Sequence, residues 1–430
     1  MGAALVSQTG DAPNLTKLEV AGKALFHDKS LSEPAGMACV TCHAPETGFS
    51  YPVSAVNQVF GTVPGVVATR FGDRRPPSAA YATYAVTGLP HYDATAIAYV
   101  GGIFWDGRAG DAVAQAKAPF LNPVEMNNRS KRSVVEKVRK GSSAQAMIAA
   151  FGKDVFSKST DAVYDLIAKS IAAYEKSEEV SPFTSKYDAY LEGKVDLTPE
   201  ELLGLRLATG TMNGRPDGLP FRKSAHCMDC HGISEDWRKS RDTWTNGCFA
   251  NLGVPANRWV PGIRREDLGL GGVYYPMIGF LPGGPEIGDA LGINGTFKAP
   301  TLRNVDKRPF LGFVKAYMHN GAFKSLKEVV HFYNTRNLTT VTGEVIDFTA
   351  KDPYADLKGT PLWGRPEYLD GYTLVNPTGK AVGINGANMG AGNNILDPDA
   401  QQIGNLMLTD FQEQAIVAFL KTLSDGYFKR

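Results

Sequence analysis

Apolar side chains recur at helical spacing just ahead of two short cysteine-containing segments. Before the first segment, which starts at Cys39, the recurring positions are Leu18, Ala21, Gly22, Leu25 and Phe26. Before the second, Thr198 is placed as an N-cap, Pro199 as the first helical residue, and Glu201 closes a capping box. Apolar residues at helical spacing follow the box. The pattern predicts one helix ahead of each segment.

Helical patterning covers much of the remaining chain, whereas strand signals are sparse. Residues 133–150 and 160–175 have helical periodicity. Thr409 and Gln412 form another capping box, which opens a terminal helix. The apolar face of that helix is predicted to be Ile416, Phe419, Leu420 and Leu423. The chain is therefore predicted to be mainly α.

Three segments interrupt the helical pattern. Glu192-Gly193-Lys194 does so near 185–197, where we expect a join between two parts of the chain. Residues 255–300 and 370–400 are rich in Gly, Asn and Pro and predict long loops. Either loop can serve a function or simply cover a cofactor, and 370–400 is equally open as a docking surface.

The overall composition excludes several classes of protein. The chain has 430 residues, of which 43% are hydrophobic and 21% charged, as in ordinary globular proteins. A net charge of +1 gives no electrostatic reason to expect nucleic acid as a partner. No apolar run approaches the length of a membrane span.

The two cysteine segments share the form Cys-x-x-Cys-His. They are Cys39-Val40-Thr41-Cys42-His43 and Cys227-Met228-Asp229-Cys230-His231. This form is typical of c-type haem attachment, in which two thiols meet the two vinyl groups of one porphyrin. The adjacent histidine then supplies an axial nitrogen to the iron. Two motifs predict two covalently bound c-type haems and redox chemistry.

Other uses of these cysteines were weighed against haem. Cys39, Cys42, Cys227 and Cys230 have the residue types of a four-thiolate zinc site, with both histidines incidental. A thioredoxin-like redox pair is expected beside a βαβ pattern, and the sequence has none. The fifth cysteine, Cys248, has no evident disulfide partner and is interpreted as a small buried apolar residue.

A helix near residue 330 presents a candidate axial ligand. Ser325 and Glu328 form a capping box that starts it. Its predicted apolar face, at i, i+3, i+4 and i+7, is Leu326, Val329, Val330 and Tyr333. His331 lies roughly 160° around the helix from Tyr333, at about 100° per residue. Tyr333 is therefore either a core tyrosine or a haem ligand, and tyrosinate is a known but rare ligand.

Helix, motif and long loop region together resemble a cytochrome c module used twice. We expect two cytochrome c-like domains, residues 1–190 and 191–430, each carrying one haem and joined by long loops. Haem is attached to such motifs outside the cytoplasm, which predicts a periplasmic protein. The first residues, Met-Gly-Ala-Ala-Leu, lack the charged and apolar regions of an export signal. We expect a form from which that signal is absent.

The chain resembles the bacterial dihaem cytochrome c peroxidases, and among them the MauG-like branch. The resemblance rests on the two Cys-x-x-Cys-His motifs and on four further segments. These segments are Phe104-Trp105-Asp106-Gly107-Arg108-Ala109, Asn122-Pro123-Val124-Glu125-Met126, Ala299-Pro300-Thr301-Leu302-Arg303-Asn304-Val305 and Tyr317-Met318-His319-Asn320-Gly321. The resemblance covers nearly the whole chain.

The resemblance implies roles for particular residues. His43 would be the proximal ligand of the peroxide-reacting haem and His231 that of a six-coordinate second haem. Trp105 would lie between the haems and couple them, the alternative being a packing residue. Glu125 would be the acid/base for O–O cleavage, the alternative being a solvated loop carboxylate. The same distal pocket would also be lined by Gln115 and Pro119.

The resemblance also bears on the distal ligands. Ordinary dihaem peroxidases carry a distal Met on the second haem, fourteen residues after the His of the Tyr-x-His-x-Gly segment. Counted from His319, that position is Tyr333, as in MauG-like members. Ordinary members often hold a distal His on the first haem, yet no His occurs between Pro45 and Leu89. His91 lies outside that loop, so the first iron is expected to be five-coordinate and open.

One departure from the family concerns calcium. The family usually binds calcium through an Asn side chain and two backbone carbonyls. Here Arg75 stands where the Asn is expected, and the carbonyl positions are Val314 and Ala316. An arginine side chain donates hydrogen bonds and offers no oxygen to the ion. Calcium is therefore doubtful as a cofactor, and the charge of Arg75 is a candidate substitute.

Three functions remain in competition at this level. The leading one is a MauG-like enzyme that reacts with hydrogen peroxide, forms a high-valent state shared over two haems and oxidises a protein or other reductant. The second is a haem peroxidase that reduces hydrogen peroxide to water with electrons from a small redox protein. The third is a dihaem electron carrier without catalysis, which the open first iron and Glu125 argue against.

Overall fold

Helices dominate the part of the chain that the structure describes, as the sequence predicts. The computed structural model describes residues 14–84, 88–94, 98–212, 220, 223–232, 242–262, 267–274, 293–335, 367 and 406–428. The helices in these ranges are α1 (Lys17–His27), α2 (Cys39–Cys42), α3 (Ser54–Val59), α4 (Ala112–Leu121), α5 (Lys131–Lys140), α6 (Ala144–Phe151), α7 (Thr160–Lys176), α8 (Lys186–Leu191), α9 (Pro199–Thr209), α10 (Met228–His231), α11 (Leu326–Thr335) and α12 (Asp410–Lys421). Among the described helices, none combines the length and hydropathy that crossing a bilayer requires. The predicted loop at 370–400 lies outside the described residues.

Strands are short and few in the described ranges. β1 (His91–Asp93) pairs antiparallel with β2 (Ala98–Val100). β3 (Phe249–Ala250) pairs antiparallel with β4 (Phe297–Lys298). Such two-stranded ribbons are too small to form a layer of their own. The sparse strand signals are confirmed, although β4 falls inside the loop predicted at 255–300.

Capping boxes set the starts of two predicted helices. Thr198 Oγ1 accepts from the Glu201 amide at 3.2 Å, and Glu201 Oε2 accepts from the Thr198 amide at 2.8 Å. Thr409 and Gln412 make the same reciprocal pair ahead of α12. Each box satisfies amides that the first helical turn leaves without partners. The helices predicted ahead of the two cysteine motifs are confirmed as α1 and α9.

The helical periodicity of residues 133–150 is divided between two helices. The Gly141 amide donates to the Val138 carbonyl at 3.3 Å, which closes the last turn of α5. In the turn before α6, the Ser143 hydroxyl donates to Asp28 Oδ2 at 2.5 Å. Asp28 also caps the end of α1. The break between α5 and α6 is therefore fixed by a contact to α1. Helical periodicity within the segment gives no sign of such a contact.

The first hydrophobic core lies among α1, α4, α5, α6 and α7. Helices α1 and α7 approach each other closely at Gly22, where a Cβ atom would meet the Ser170 carbonyl oxygen at 2.0 Å. Glycine is therefore required at this crossing. Fully buried members of the core include Leu25, Phe26, Val134, Ile167 and Tyr174.

A second, separate core lies among α8, α9, α11 and α12. Trp244 is fully buried, and its ring lies 5.4 Å from that of Tyr187 in α8. Phe419 of α12 contacts the Tyr187 ring at 5.9 Å. Two cores agree with two domains, but the boundary between residues 190 and 191 stays a prediction.

A buried ion pair fixes α8 to the segment 299–305. Arg303 is 1% exposed and donates to Asp188 through Nη1 at 2.6 Å and Nη2 at 2.8 Å. The pairing has the two-pronged geometry that favours a buried guanidinium and carboxylate. Segment 299–305 also lines the cavity of the second cysteine motif, so this pair braces one wall of it.

Candidate haem sites

The first motif forms one wall of a large cavity. Cys39 and Cys42 of α2, together with His43, line a cavity of about 460 Å³. His43 Nδ1 lies 3.1 Å from the Phe49 carbonyl oxygen. A carbonyl only accepts, so Nδ1 carries the proton and Nε2 is left as the lone-pair nitrogen. Burial lowers the pKa of His43, which keeps the ring in its neutral, ligating form.

The second motif repeats this arrangement in another place. Cys227, Cys230 and His231 line a cavity of about 180 Å³. His231 Nδ1 lies 3.1 Å from the Trp244 carbonyl oxygen. Burial lowers the pKa of His231 to about 4. Both motifs therefore present two thiols and one neutral imidazole to an adjoining cavity.

These donors suit haem better than zinc. The two cysteine pairs line different cavities, so the four thiols do not converge on one metal. No three His, Cys, Asp or Glu side chains gather into a metal site anywhere in the described ranges. All five cysteines are unpaired thiols. Each cavity instead presents the two thiols and one imidazole nitrogen that a c-type haem would bond.

Glu125 lies in the first cavity with the other predicted pocket residues. Gln115 and Pro119 are four residues apart in α4, on one helix face, and both line this cavity. Glu125 Oε1 accepts from the Asn122 side-chain amide at 2.6 Å. Burial raises the pKa of Glu125, and Arg108 and the Asn122 bond oppose that rise. The structure thus brings the three residues together; their catalytic roles stay a prediction.

No second histidine lines the first cavity in the described part of the chain. His91, the spare candidate, sits in β1, and its Nδ1 hydrogen-bonds to the Leu89 carbonyl oxygen at 3.1 Å. The lining does include the sulfur-bearing Met37 and Met126. The cavity agrees with the expectation that the first iron has no distal histidine.

Trp105 lies between the two cavities and lines both of them. Its indole Nε1–H donates to the Arg75 carbonyl oxygen at 2.7 Å, which fixes the orientation of the ring. The Arg75 guanidinium lies 5.5 Å from the ring centre. This position is the one expected of a group that couples two haems, and the coupling itself stays a prediction.

Tyr333 faces the second cavity, and His331 does not. Ser325 and Glu328 cap each other's amides ahead of α11, at 3.1 and 2.9 Å. The predicted apolar face of α11 lines the cavity that holds His231, through Leu326, Val329, Val330 and Tyr333. His331 Nδ1 instead lies 2.9 Å from Glu413 Oε1. The helical-face prediction is confirmed, while ligation by Tyr333 stays a prediction.

Other donor atoms share the second cavity with Tyr333. Met318 and His319 both line it. His319 Nε2 lies 2.6 Å from Glu367 Oε2, and its ring stacks on Phe297 with centres 3.5 Å apart. His319 is therefore held by neighbours, and Met318 is a further candidate ligand in this cavity.

Two residues near the haem sites were missed by sequence reasoning. Glu175 of α7 is 8% exposed, lines the first cavity, and burial raises its pKa to about 8. A signal existed, because a glutamate at this point extends an otherwise apolar helix face. Cys248 is buried, as predicted, but its position beside the Cys230 thiol was not foreseen.

The fold is helix-rich, each of its two cavities is lined by a Cys-x-x-Cys-His motif, and Trp105 lies between them. These features define the class of dihaem cytochromes. Residues 17–196 match the family described as di-haem cytochrome c peroxidase. The methylamine utilization protein MauG of Paracoccus denitrificans is 32% identical over 416 residues, covering 96% of this chain and 89% of MauG. The cytochrome c551 peroxidase of Pseudomonas aeruginosa is 32% identical over 315 residues, covering 72% of this chain and 69% of that protein.

Solved structures agree with the sequence comparisons. The diheme peroxidase BthA of Burkholderia thailandensis superposes with a TM-score of 0.69 at 28% identity, covering 97% of this chain and 87% of BthA. A tyrosine-to-methionine variant of BthA gives a TM-score of 0.70. The chain therefore belongs to the MauG-like dihaem cytochrome c peroxidase family. It is a haem peroxidase, an oxidoreductase acting on peroxide, with haem as its cofactor.

Proposed function

We propose that both haems are of c-type, attached covalently through Cys39 and Cys42 and through Cys227 and Cys230. His43 and His231 then act as the proximal ligands, through the Nε2 atoms that their carbonyl hydrogen bonds leave available. When bound, the haems supply the redox centres that accept the oxidising equivalents of peroxide. Because such attachment happens outside the cytoplasm, we place the protein in the periplasm.

The first cavity is the proposed peroxide site. Glu125 holds the proton there: its Oε1 is engaged by Asn122, so Oε2 is the oxygen available to take a proton from one peroxide oxygen and return it to the other. Burial raises the pKa of this carboxyl, the direction that favours its holding and exchanging a proton. Gln115 and Pro119, on the α4 face, restrict the space around the same carboxyl.

The second cavity distinguishes a MauG-like enzyme from an ordinary peroxidase. Tyr333, in its anionic form, would hold the second haem together with His231. A phenolate favours the ferric and more oxidised forms of iron, whereas a neutral thioether favours ferrous iron. With haems bound, Trp105, which lines both cavities, would couple them, and the oxidising equivalents would serve to oxidise a protein or other reductant at the surface.

One observation carries this proposal. The α11 face that ends in Tyr333 lines the cavity of His231, and the histidine of the same helix is turned away to Glu413. The second candidate is reduction of peroxide to water with electrons from a small redox protein. It is favoured by Met318, whose sulfur is an alternative ligand in the same cavity.

Spectroscopy of the diferric protein tests the proposal. We expect one high-spin and one low-spin haem by electron paramagnetic resonance, because the first iron is open and the second is six-coordinate. Stopped-flow mixing with hydrogen peroxide should then give a near-infrared band from charge shared between the haems. Two low-spin signals would indicate an electron carrier. A high-spin signal without the near-infrared band would favour the ordinary peroxidase.

A further inference from the structure

Two cations, the half-buried Arg75 and the buried Lys315, lie beside the second cavity without an acidic partner in the described ranges. Arg75 and Lys315 both line this cavity, and Lys315 is 5% exposed. Lys315 Nζ donates to the carbonyl oxygens of Thr47 and Asn304 at 2.8 Å and of Lys307 at 3.3 Å. In the described ranges neither cation forms an ion pair with a carboxylate.

The bonds of Arg75 likewise go to backbone carbonyls. Its Nε donates to the Met318 oxygen at 3.1 Å and its Nη1 to the Pro76 oxygen at 3.3 Å. Two other guanidiniums in the described ranges are paired with carboxylates: the half-buried Arg74 bonds Asp106 and Asp267, and the buried Arg303 bonds Asp188. A buried charge without a counter-ion is costly, so this pair of cations lacks an anion that its neighbours have.

Burial acts strongly on both groups. It lowers the pKa of Arg75 to about 10, and it lowers the pKa of Lys315 well below that of an exposed lysine. Asp306, the acidic residue that favours the charged form of Lys315, is itself bonded to Arg308 at 2.8 Å. An anion bound in the cavity would compensate the positive charges of Arg75 and Lys315.

The residues expected to bind calcium do not fit that ion. Calcium takes about six to eight oxygen ligands. Arg75 offers only donors. The Val314 carbonyl already accepts from the Asn57 side-chain amide at 3.0 Å. Between Val314 and Ala316, Lys315 projects an ammonium group into a cage of three carbonyls.

We propose that Arg75 and Lys315 replace calcium as built-in cations for the haem propionates. Arg75 binds those of both haems, and Lys315, whose three N–H donors are taken by carbonyls, stabilises those of the second haem through its charge. This inference rests on the proposed haem sites and names their propionate-binding residues. Arg75 lines both cavities, and a guanidinium presents several donors to carboxylates at once. Lys315 also joins Thr47, just after the first motif, to Lys307 and to Asn304, which lines the second cavity.

Redox titration of the holoprotein tests the proposal. Removing a positive charge beside a haem stabilises its ferric form, so Arg75→Gln and Lys315→Met should both lower the potential of the second haem. Arg75→Lys, which keeps the charge, should restore most of the shift. Arg70→Gln is the matched control, because Arg70 bonds Pro123 and Asn127 and lines neither cavity. Equal shifts in Arg75→Gln and Arg75→Lys, or none in Lys315→Met, would overturn the proposal.

Metal dependence is measured on the wild-type protein, so it does not depend on variants folding. Metal analysis should find no tightly held calcium, and neither EGTA nor added calcium should change the paramagnetic resonance spectrum or either potential. Calcium bound at one equivalent, with spectral change on its removal, would contradict the proposal. Arg75→Asn restores the amide that calcium-binding members use, so this variant should bind calcium more tightly than the wild type. A haem assay on each sample distinguishes a change in potential from loss of haem. Loss of haem would count against the proposed haem sites themselves.

Discussion

The two cavities hold their histidines in the same way and differ in the groups around them. His43 and His231 each donate Nδ1–H to a backbone carbonyl at 3.1 Å. The first cavity, however, is lined by two carboxyls whose pKa burial raises, Glu125 and Glu175. In the described chain no Asp or Glu lines the second cavity, which carries Tyr333 together with cationic side chains.

This difference locates the origin of the two proposed roles. Because the carbonyl bond on the proximal side is alike, it tunes both irons in the same direction. Any difference in role between the two haem sites must therefore come from the other groups that line each cavity. Proton-exchanging carboxyls suit a cavity that breaks peroxide, whereas a phenol that can act as an anionic ligand suits one that holds oxidising equivalents.

Removing the carboxyl function of Glu125 should have the largest effect. Glu125→Gln keeps the shape and the Asn122 contact but cannot exchange a proton, so the rate of reaction with peroxide should fall by about 10²–10⁴-fold. Stopped-flow absorbance measures this rate, and a haem assay should show both haems retained. Glu136→Gln, on the exposed face of α5, is the control. A normal rate in Glu125→Gln would remove its acid/base role.

Exchanging the proposed ligand should alter the second cavity alone. Tyr333→Met replaces an anionic ligand with a neutral one, so the potential of the second haem should rise and the near-infrared band should disappear. Axial ligands set haem potentials over a range of about 0.8 V, so the shift should be large. Spectroelectrochemical titration measures it.

Met318→Leu is the matched comparison, because Met318 lines the same cavity. If Met318→Leu moves the potential and Tyr333→Met leaves it unchanged, the sulfur is the ligand. The contrast between the cavities would then be that of an ordinary peroxidase.

The sequence predicts those parts of this contrast that depend on local spacing. The face of α11 was predictable because helical periodicity fixes which side chains share a side, and its start because Ser325 and Glu328 cap each other's amides. The sequence signal for Glu175, a glutamate on an otherwise apolar helix face, does not reveal the cavity that it lines. The surroundings of Lys315 were not predictable, since they come from segments far apart in the chain. Lys315, for example, meets the carbonyl of Thr47.

Breaking the buried ion pair should destabilise the region of the second cavity. Asp188→Asn leaves the Arg303 guanidinium buried and uncompensated, which typically costs about 3–5 kcal/mol. The free energy of unfolding is measured by urea titration, followed at the absorbance of the second haem. Asp161→Asn is the control, because its pair with Lys131 is exposed and should contribute less than about 1 kcal/mol. Equal losses of unfolding free energy in the two variants would show that the buried ion pair does not stabilise this region more than an exposed one.

The smallest effect concerns the pH dependence that Glu175 gives to the first cavity. Burial raises its pKa from 4.5 to about 8, so between these values the folded protein keeps a proton that the unfolded chain has lost. Stability must then fall as pH rises through this window. Glu175→Gln is neutral throughout and should lack that slope, with the difference from wild type, up to a few kcal/mol, largest at the upper end.

Urea unfolding at a series of pH values measures the slope attributed to Glu175. Glu200→Gln, at an exposed position in the first turn of α9, should keep the wild-type slope. Parallel curves for wild type and Glu175→Gln would mean that Glu175 ionises in the folded protein as it does in the unfolded chain. The first cavity would then contain a single proton-exchanging carboxyl, Glu125, and its difference from the second cavity would rest on that residue and Tyr333.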